Sequence, residues 1–172
     1  MINKFENKIR SISDWPQKGV TFRDITPVLQ DKKMFRDLIN ELAKPYLKKK
    51  IDIVVAIDAR GFLLAAPVAY KLGAGVALVR KKGKLPYKTI STKYDLEYAS
   101  NILEMHRDAI LPGQRVLLVD DVLATGGTME ASIKLAKQLG GKIIGAAFFI
   151  ELKVLNGKKK LKNCPIESLV KY

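Results

Sequence analysis

The chain has 172 residues, 48% of them hydrophobic and 28% charged, enough for a buried core without disulfides or structural metals. Its single cysteine, Cys164, excludes an internal disulfide, and with one histidine, His106, a Cys/His metal site lacks ligands. The net charge of +14 is compatible with nucleic acid, an anionic membrane or a phosphorylated small substrate as partner. The excess lies largely in the runs Lys48-Lys49-Lys50, Lys81-Lys82-Gly83-Lys84 and Lys158-Lys159-Lys160. No recognition helix, zinc-finger spacing or RNP-type aromatic motif accompanies them, so nucleic acid is not expected as a partner. Met1–Arg10 mixes charges without an apolar run, and Ile143–Ile150, among the longest apolar stretches, is too short for a bilayer. The expectation is a cytoplasmic protein with no membrane association.

In chain order, Trp15–Asp31 reads as a loop punctuated by Pro16, Gly19 and Pro27, followed by a helix around Lys33–Leu42. Ile51–Ile57 is a short apolar run rich in β-branched residues, Gly61–Leu72 a helix and Gly75–Val79 a second strand. Lys81–Asp108 mixes polar, aromatic and charged residues, as a lid or antiparallel arm between two sheet strands would. Arg115–Val119 is a third strand. In Gly127–Leu139, Met129, Ile133, Ala136 and Leu139 share one helical face, and Gly140-Gly141 ends the helix. Ile143–Ile150 is a fourth strand, and Cys164-Pro165 approaches a C-terminal one. Near-continuous apolar strands alternating with helices predict an α/β fold: a doubly wound, mainly parallel sheet flanked by helices, covered on both faces, forming a single domain over 1–172.

The strongest chemical signal follows the third strand. Asp120 and Asp121 precede the small-residue turn Ala124-Thr125-Gly126-Gly127-Thr128, which opens a helix. Glycines let backbone approach a phosphate, N–H groups can converge on it, and the helix N-terminus favours negative charge. Thr125 and Thr128 add hydroxyl donors. The pattern is neither a Walker A loop nor a dinucleotide fingerprint. The two carboxylates would repel that phosphate, so they are expected to face ribose hydroxyls. Asp58-Ala59-Arg60-Gly61 is a second strand-to-helix junction, where Arg60 offers a planar fork for diphosphate oxygens. Read alone, Arg60 could instead be a surface ion-pair residue, while a core plug is the usual fate of a single Phe such as Phe22 and an exposed carboxylate the plain reading of Glu97.

The segment Val119–Thr128 resembles the phosphoribosyl-diphosphate signature of the type I phosphoribosyltransferases. Four further stretches are similar to the adenine phosphoribosyltransferases within that family: Gly19–Pro27, Ala56–Phe62, Arg80–Pro86 and Tyr94–Tyr98. The resemblance implies adenine and 5-phosphoribosyl 1-diphosphate as substrates, AMP and diphosphate as products, and Mg²⁺ carried by the sugar diphosphate with no protein metal ligand. It implies that Ala124, Thr125, Gly126, Gly127 and Thr128 hold the 5-phosphate and that Asp120 and Asp121 bind ribose. Asp58, Ala59, Arg60, Arg80, Lys81 and Lys84 would take the diphosphate. Thr21, Phe22 and Arg23 would take the base, under a hood of about residues 1–35. Glu97 would transfer a proton, beside Tyr98 in a flexible lid of about residues 81–108. In related enzymes the lid region reaches a neighbouring subunit, which implies a homodimer. The family usually carries Gly after the Glu-Tyr pair, where this chain has Ala99. His106 and Trp15 are expected to be structural. Two rival readings remain at this point: transfer to another base such as hypoxanthine, guanine or xanthine, and a sensor of the sugar diphosphate that binds nucleic acid.

Overall fold

The computed structural model describes residues 4–96 and 99–172, the side chains at positions 95, 96, 99 and 100 excepted. Two short strands, β1 (Arg10–Ile12) and β2 (Phe22–Asp24), pair antiparallel near the N-terminus. Helices α1 (Thr26–Gln30) and α2 (Lys32–Ala43) follow. The stretch expected to be loop through Asp31 therefore holds a strand and a helical turn. Both are too short to show a periodic pattern. Asp31 starts α2 by accepting from the N–H groups of Lys33 and Met34, both at 3.0 Å.

The remaining elements alternate: β3 (Ile53–Ile57), α3 (Gly61–Leu72), β4 (Gly75–Lys81), β5 (Thr89–Leu96), β6 (Ala99–His106), β7 (Arg115–Leu123), α4 (Gly127–Gln138), β8 (Lys142–Glu151) and β9 (Ile166–Lys171). They build a seven-stranded sheet in the order β5-β6-β4-β3-β7-β8-β9. Strands β4, β3, β7, β8 and β9 run parallel, and the β5–β6 hairpin adds antiparallel at the β4 edge. The segment read as a lid or arm is thus, in its described part, an extension of the main sheet.

Alternate residues of the central strands feed two cores. Val54, Ala56, Leu117 and Val119 pack with Leu64, Ala65 and Val68 of α3. Val55, Ile57, Val116 and Leu118 pack with Met129, Leu135 and Ala136 of α4. This two-faced burial explains why β3 and β7 read as continuous apolar runs. One strand departs from that pattern. On β4, Ala77 and Val79 are buried, whereas Val76 and Leu78 are exposed, as are Leu63 and Tyr70 of α3. The expectation of a sheet covered on both faces therefore fails at this edge within one chain.

The connection from β3 leads through α3 to β4 on one side, and that from β7 through α4 to β8 on the other. The winding direction reverses between β3 and β7. In open α/β sheets, the carboxyl ends of the strands flanking such a switch are where ligands bind.

Candidate active site

Asp120 and Asp121 lie within β7, whose ladder continues past the apolar run: Asp120 pairs with Phe148, Val122 with Ile150 and Leu123 with Glu151. The strand had been expected to end at Val119. It continues because the ladder is made by backbone groups, which tolerate acids at a sheet end. Asp120 Oδ1 accepts from the Asp121 N–H at 2.9 Å. A Cβ on Gly61 would stand 2.8 Å from the same oxygen, so only glycine lets α3 start against this carboxylate. Asp121 is buried and its Oδ2 is 2.6 Å from Arg60 Nη2. Burial, and then the charge of Asp121, push the Asp120 carboxyl well above the usual aspartate range, with Arg60 acting weakly in the opposite direction.

Beyond β7 the chain turns through Ala124, Thr125 and Gly126 into α4. With Asp120, residues Ala124 to Thr128 line a cavity of about 70 Å³ at the helix N-terminus. Gly126 has φ +83°, in the left-handed region. Besides the close approach of a phosphate expected from the sequence, the structure gives a second reason for this glycine. A Cβ at Gly126 would collide with the backbone carbonyl of Gly157.

The second turn stands at the neighbouring strand ends. Arg80, near the end of β4, donates from Nε to Asp58 Oδ2 at 2.9 Å and from Nη1 to the Lys84 carbonyl at 3.1 Å. The Gly83 N–H donates to the buried Glu104 at 2.9 Å, which fixes the lysine-rich turn. Lys81, Lys84 and Ala59 are exposed. The Asp58–Ala59 peptide is cis. Asp58, Ala59, Arg60, Arg80, Lys81 and Lys84 therefore gather at the adjoining ends of β3 and β4, next to the acid pair. Arg60 is not the surface ion-pair residue of the plain alternative, because its partner Asp121 is buried.

The hood is joined to this centre through Phe22. The Trp15 ring packs edge-on against Phe22 at 4.3 Å between centroids, and the Arg60 guanidinium lies over the Phe22 ring at 4.8 Å. Phe22 is half-buried, so it is not a core plug, and Trp15, half-exposed, has the packing role expected of it only against Phe22. Strand alternation sends Arg23 the other way, over the Tyr172 ring at 3.8 Å and onto the Ser11 hydroxyl. Val20, Thr21 and Arg23 face Leu152, Leu155 and Tyr172 across a cavity of about 400 Å³. These last three residues were missed in the sequence. Position just beyond the carboxyl end of β8 was the signal for Leu152. Glu97 and Tyr98 lie outside the described residues.

The description "phosphoribosyl transferase domain" belongs to the family profile that matches residues 28–169. A relative from Alkaliphilus metalliredigens, an adenine phosphoribosyltransferase, is 53% identical over 167 residues, covering 97% of this chain and 98% of its own. The crystal structure of adenine phosphoribosyltransferase from Thermoanaerobacter pseudethanolicus aligns with a TM-score of 0.95 at 51% identity, over 98% of each chain. That of the Saccharomyces cerevisiae enzyme, complexed with an imino-altritol bisphosphate and adenine, aligns with a TM-score of 0.91 at 34% identity, over 96% of each. The chain belongs to the phosphoribosyl transferase domain family and, within it, to the adenine phosphoribosyltransferases.

Proposed function

We propose that the chain transfers the 5-phosphoribosyl group from 5-phosphoribosyl 1-diphosphate to adenine, releasing AMP and diphosphate. One observation carries this reading: two strand-to-helix turns, one with paired carboxylates and one with Arg60, meet at the switch between β3 and β7 beneath an aromatic hood. The likeness to adenine phosphoribosyltransferases supports the choice of base.

In this reading Ala124, Thr125, Gly126, Gly127 and Thr128 bind the 5-phosphate through backbone N–H groups and two hydroxyls, and the α4 dipole favours the dianion. Asp120 and Asp121 accept from the ribose 2- and 3-hydroxyls. Those donors stabilise the charged form of Asp120, which burial and Asp121 disfavour. Asp58, Ala59 and Arg60, with Arg80, Lys81 and Lys84, hold the diphosphate. Phe22 packs against the purine, and the backbone of Thr21 and Arg23 reads its edge. The bond from the anomeric carbon to diphosphate breaks as a purine ring nitrogen bonds to that carbon, through a state with oxocarbenium character. Glu97 takes the proton that the purine ring gives up as this bond forms, and the leaving electron pair stays on diphosphate. Fixing the sugar in line with the base removes most of the orientational barrier.

Among the described residues, no group of three or more His, Cys, Asp or Glu side chains is placed to hold a metal ion. Asp120 and Asp121 would act on a cation carried by the substrate only indirectly, through the ribose hydroxyls they accept from. Mg²⁺ carried on the sugar diphosphate would supply positive charge to the departing group.

The exposed apolar side chains Leu63, Tyr70, Val76 and Leu78 support a homodimer through the α3–β4 face, close to Arg80 and the lysine turn. Among the described residues, no helix is long and apolar enough to cross a membrane. We place the enzyme in the cytoplasm. The reading is tested by incubating the protein with adenine, 5-phosphoribosyl 1-diphosphate and Mg²⁺ and measuring AMP. Stoichiometric AMP and diphosphate are expected, and their absence from folded protein would refute the assignment.

A further inference from the structure

The stretch after β8 reaches both halves of the site. Leu152 donates its N–H to the Leu123 carbonyl at 2.9 Å, and Lys153 donates to the Tyr172 carbonyl at 2.7 Å. A short 3₁₀ turn at Lys153–Leu155 puts Leu152 and Leu155 on the wall of the cavity under the hood. Asn156 then takes φ +53° and reverses the chain into a second turn, Gly157–Lys160. Gly157 is buried, and its backbone lies against the turn after β7. A Cβ at Gly157 would collide with the Ala124 carbonyl, and one at Gly126 would collide with the Gly157 carbonyl. Two glycines thus interlock backbone to backbone, and neither side of the contact has room to give. The second turn is fastened from below by an ion pair. Lys158 Nζ is 3.1 Å from Glu151 Oε2, and the Glu151 side chain is 9% exposed against 42% for Lys158.

We propose that Glu151 and Lys158 are positioning residues: their ion pair holds Gly157 against Ala124 and Gly126 and so sets the shape of the turn that takes the 5-phosphate. The proposal rests on the assignment of that turn made above. The physical reason is that a cradle of backbone N–H groups has no side-chain freedom with which to adapt. Its geometry is only as fixed as the packing behind it. Removing Lys158 leaves a buried carboxylate without its partner and frees the Gly157 turn to shift.

The experiment compares Lys158→Met, Lys158→Arg, Glu151→Gln and the double variant E151Q/K158M with the control Lys159→Met, which removes the neighbouring charge from an exposed position. Circular dichroism and thermal melting establish that each is folded. Calorimetry with ribose 5-phosphate and steady-state kinetics give the readouts. Lys158→Met should weaken ribose 5-phosphate binding and raise KM for the sugar diphosphate by about tenfold, with kcat at saturation and KM for adenine changed less than about twofold. Lys158→Arg should restore most of the loss, and the double variant should be no worse than the single ones. If Glu151→Gln fails to fold, the Lys158 variants decide. Equal effects of Lys158→Met and Lys159→Met, or unchanged ribose 5-phosphate affinity in Lys158→Met, would overturn the proposal. A wild-type protein that forms AMP but does not bind ribose 5-phosphate would contradict the phosphate-turn assignment itself, and this proposal with it.

Discussion

Arg60 and Asp121 form the shortest ion pair among the described residues, at 2.6 Å, and it ties the turn after β3 to the acid pair of β7. The same guanidinium covers the Phe22 ring, so one side chain touches the turn, the acids and the hood. Arg60→Lys keeps the charge but loses the planar fork and the stacking. It should raise KM for the sugar diphosphate about 10- to 100-fold and weaken product inhibition by diphosphate in parallel, measured by initial rates. A variant with unchanged KM would leave Arg60 a purely structural tie.

Asp120 links site chemistry to stability. Its carboxyl is raised by burial first and by Asp121 second, so the ionised form opposes folding. A raised carboxylate carries this cost at pH values above its folded-state pKa and none below about 3.9, the ordinary aspartate value. Asp120→Asn should therefore raise Tm near pH 8, by about 2–4 °C for each kcal/mol relieved, and the gain should shrink as the pH falls toward 4. Activity should fall at least about tenfold with the lost hydroxyl contact. Melting curves across that pH range check the sign; a variant less stable than wild type at pH 8 would contradict it.

For Glu97 the expectation concerns chemistry alone. If it accepts the proton, Glu97→Gln should lower kcat by about 10²- to 10⁴-fold and leave sugar-diphosphate affinity nearly unchanged. Rapid-quench measurement of AMP formed in a single turnover separates this from slow product release. Turnover near that of wild type would make Glu97 a bystander.

The units β3–α3 and β7–α4 were legible because each joins a two-faced apolar strand to a helix through small residues, and that pattern is local. The acid pair and the threonine–glycine turn were legible for the same reason. What escaped depends on contacts between distant positions. Nothing near Asp121 in sequence announces Arg60 as its partner, and nothing near Gly126 points to Gly157. Strand β2, with Phe22 and Arg23 on opposite sides, is three residues long and carries no periodic signal. The uncovered face at Val76 and Leu78 was hidden because an apolar strand reads alike whether its own chain or another covers it.

The central claim is that this site serves adenine. Adenine presents an exocyclic amino donor where hypoxanthine and guanine present a carbonyl. If backbone groups of the Thr21–Arg23 stretch read that edge, a 6-oxo purine sets acceptor against acceptor and leaves a buried polar group unpaired. Such a mismatch supports discrimination of about 10³-fold or more. Because backbone does the reading, changes to the Thr21 side chain should leave the preference intact, while Phe22→Ala should weaken all purines together. The decisive measurement is kcat/KM for adenine, hypoxanthine and guanine with 5-phosphoribosyl 1-diphosphate under identical conditions. Adenine should lead by about three orders of magnitude; comparable values for adenine and hypoxanthine would contradict the choice of base while leaving the phosphoribosyl site in place.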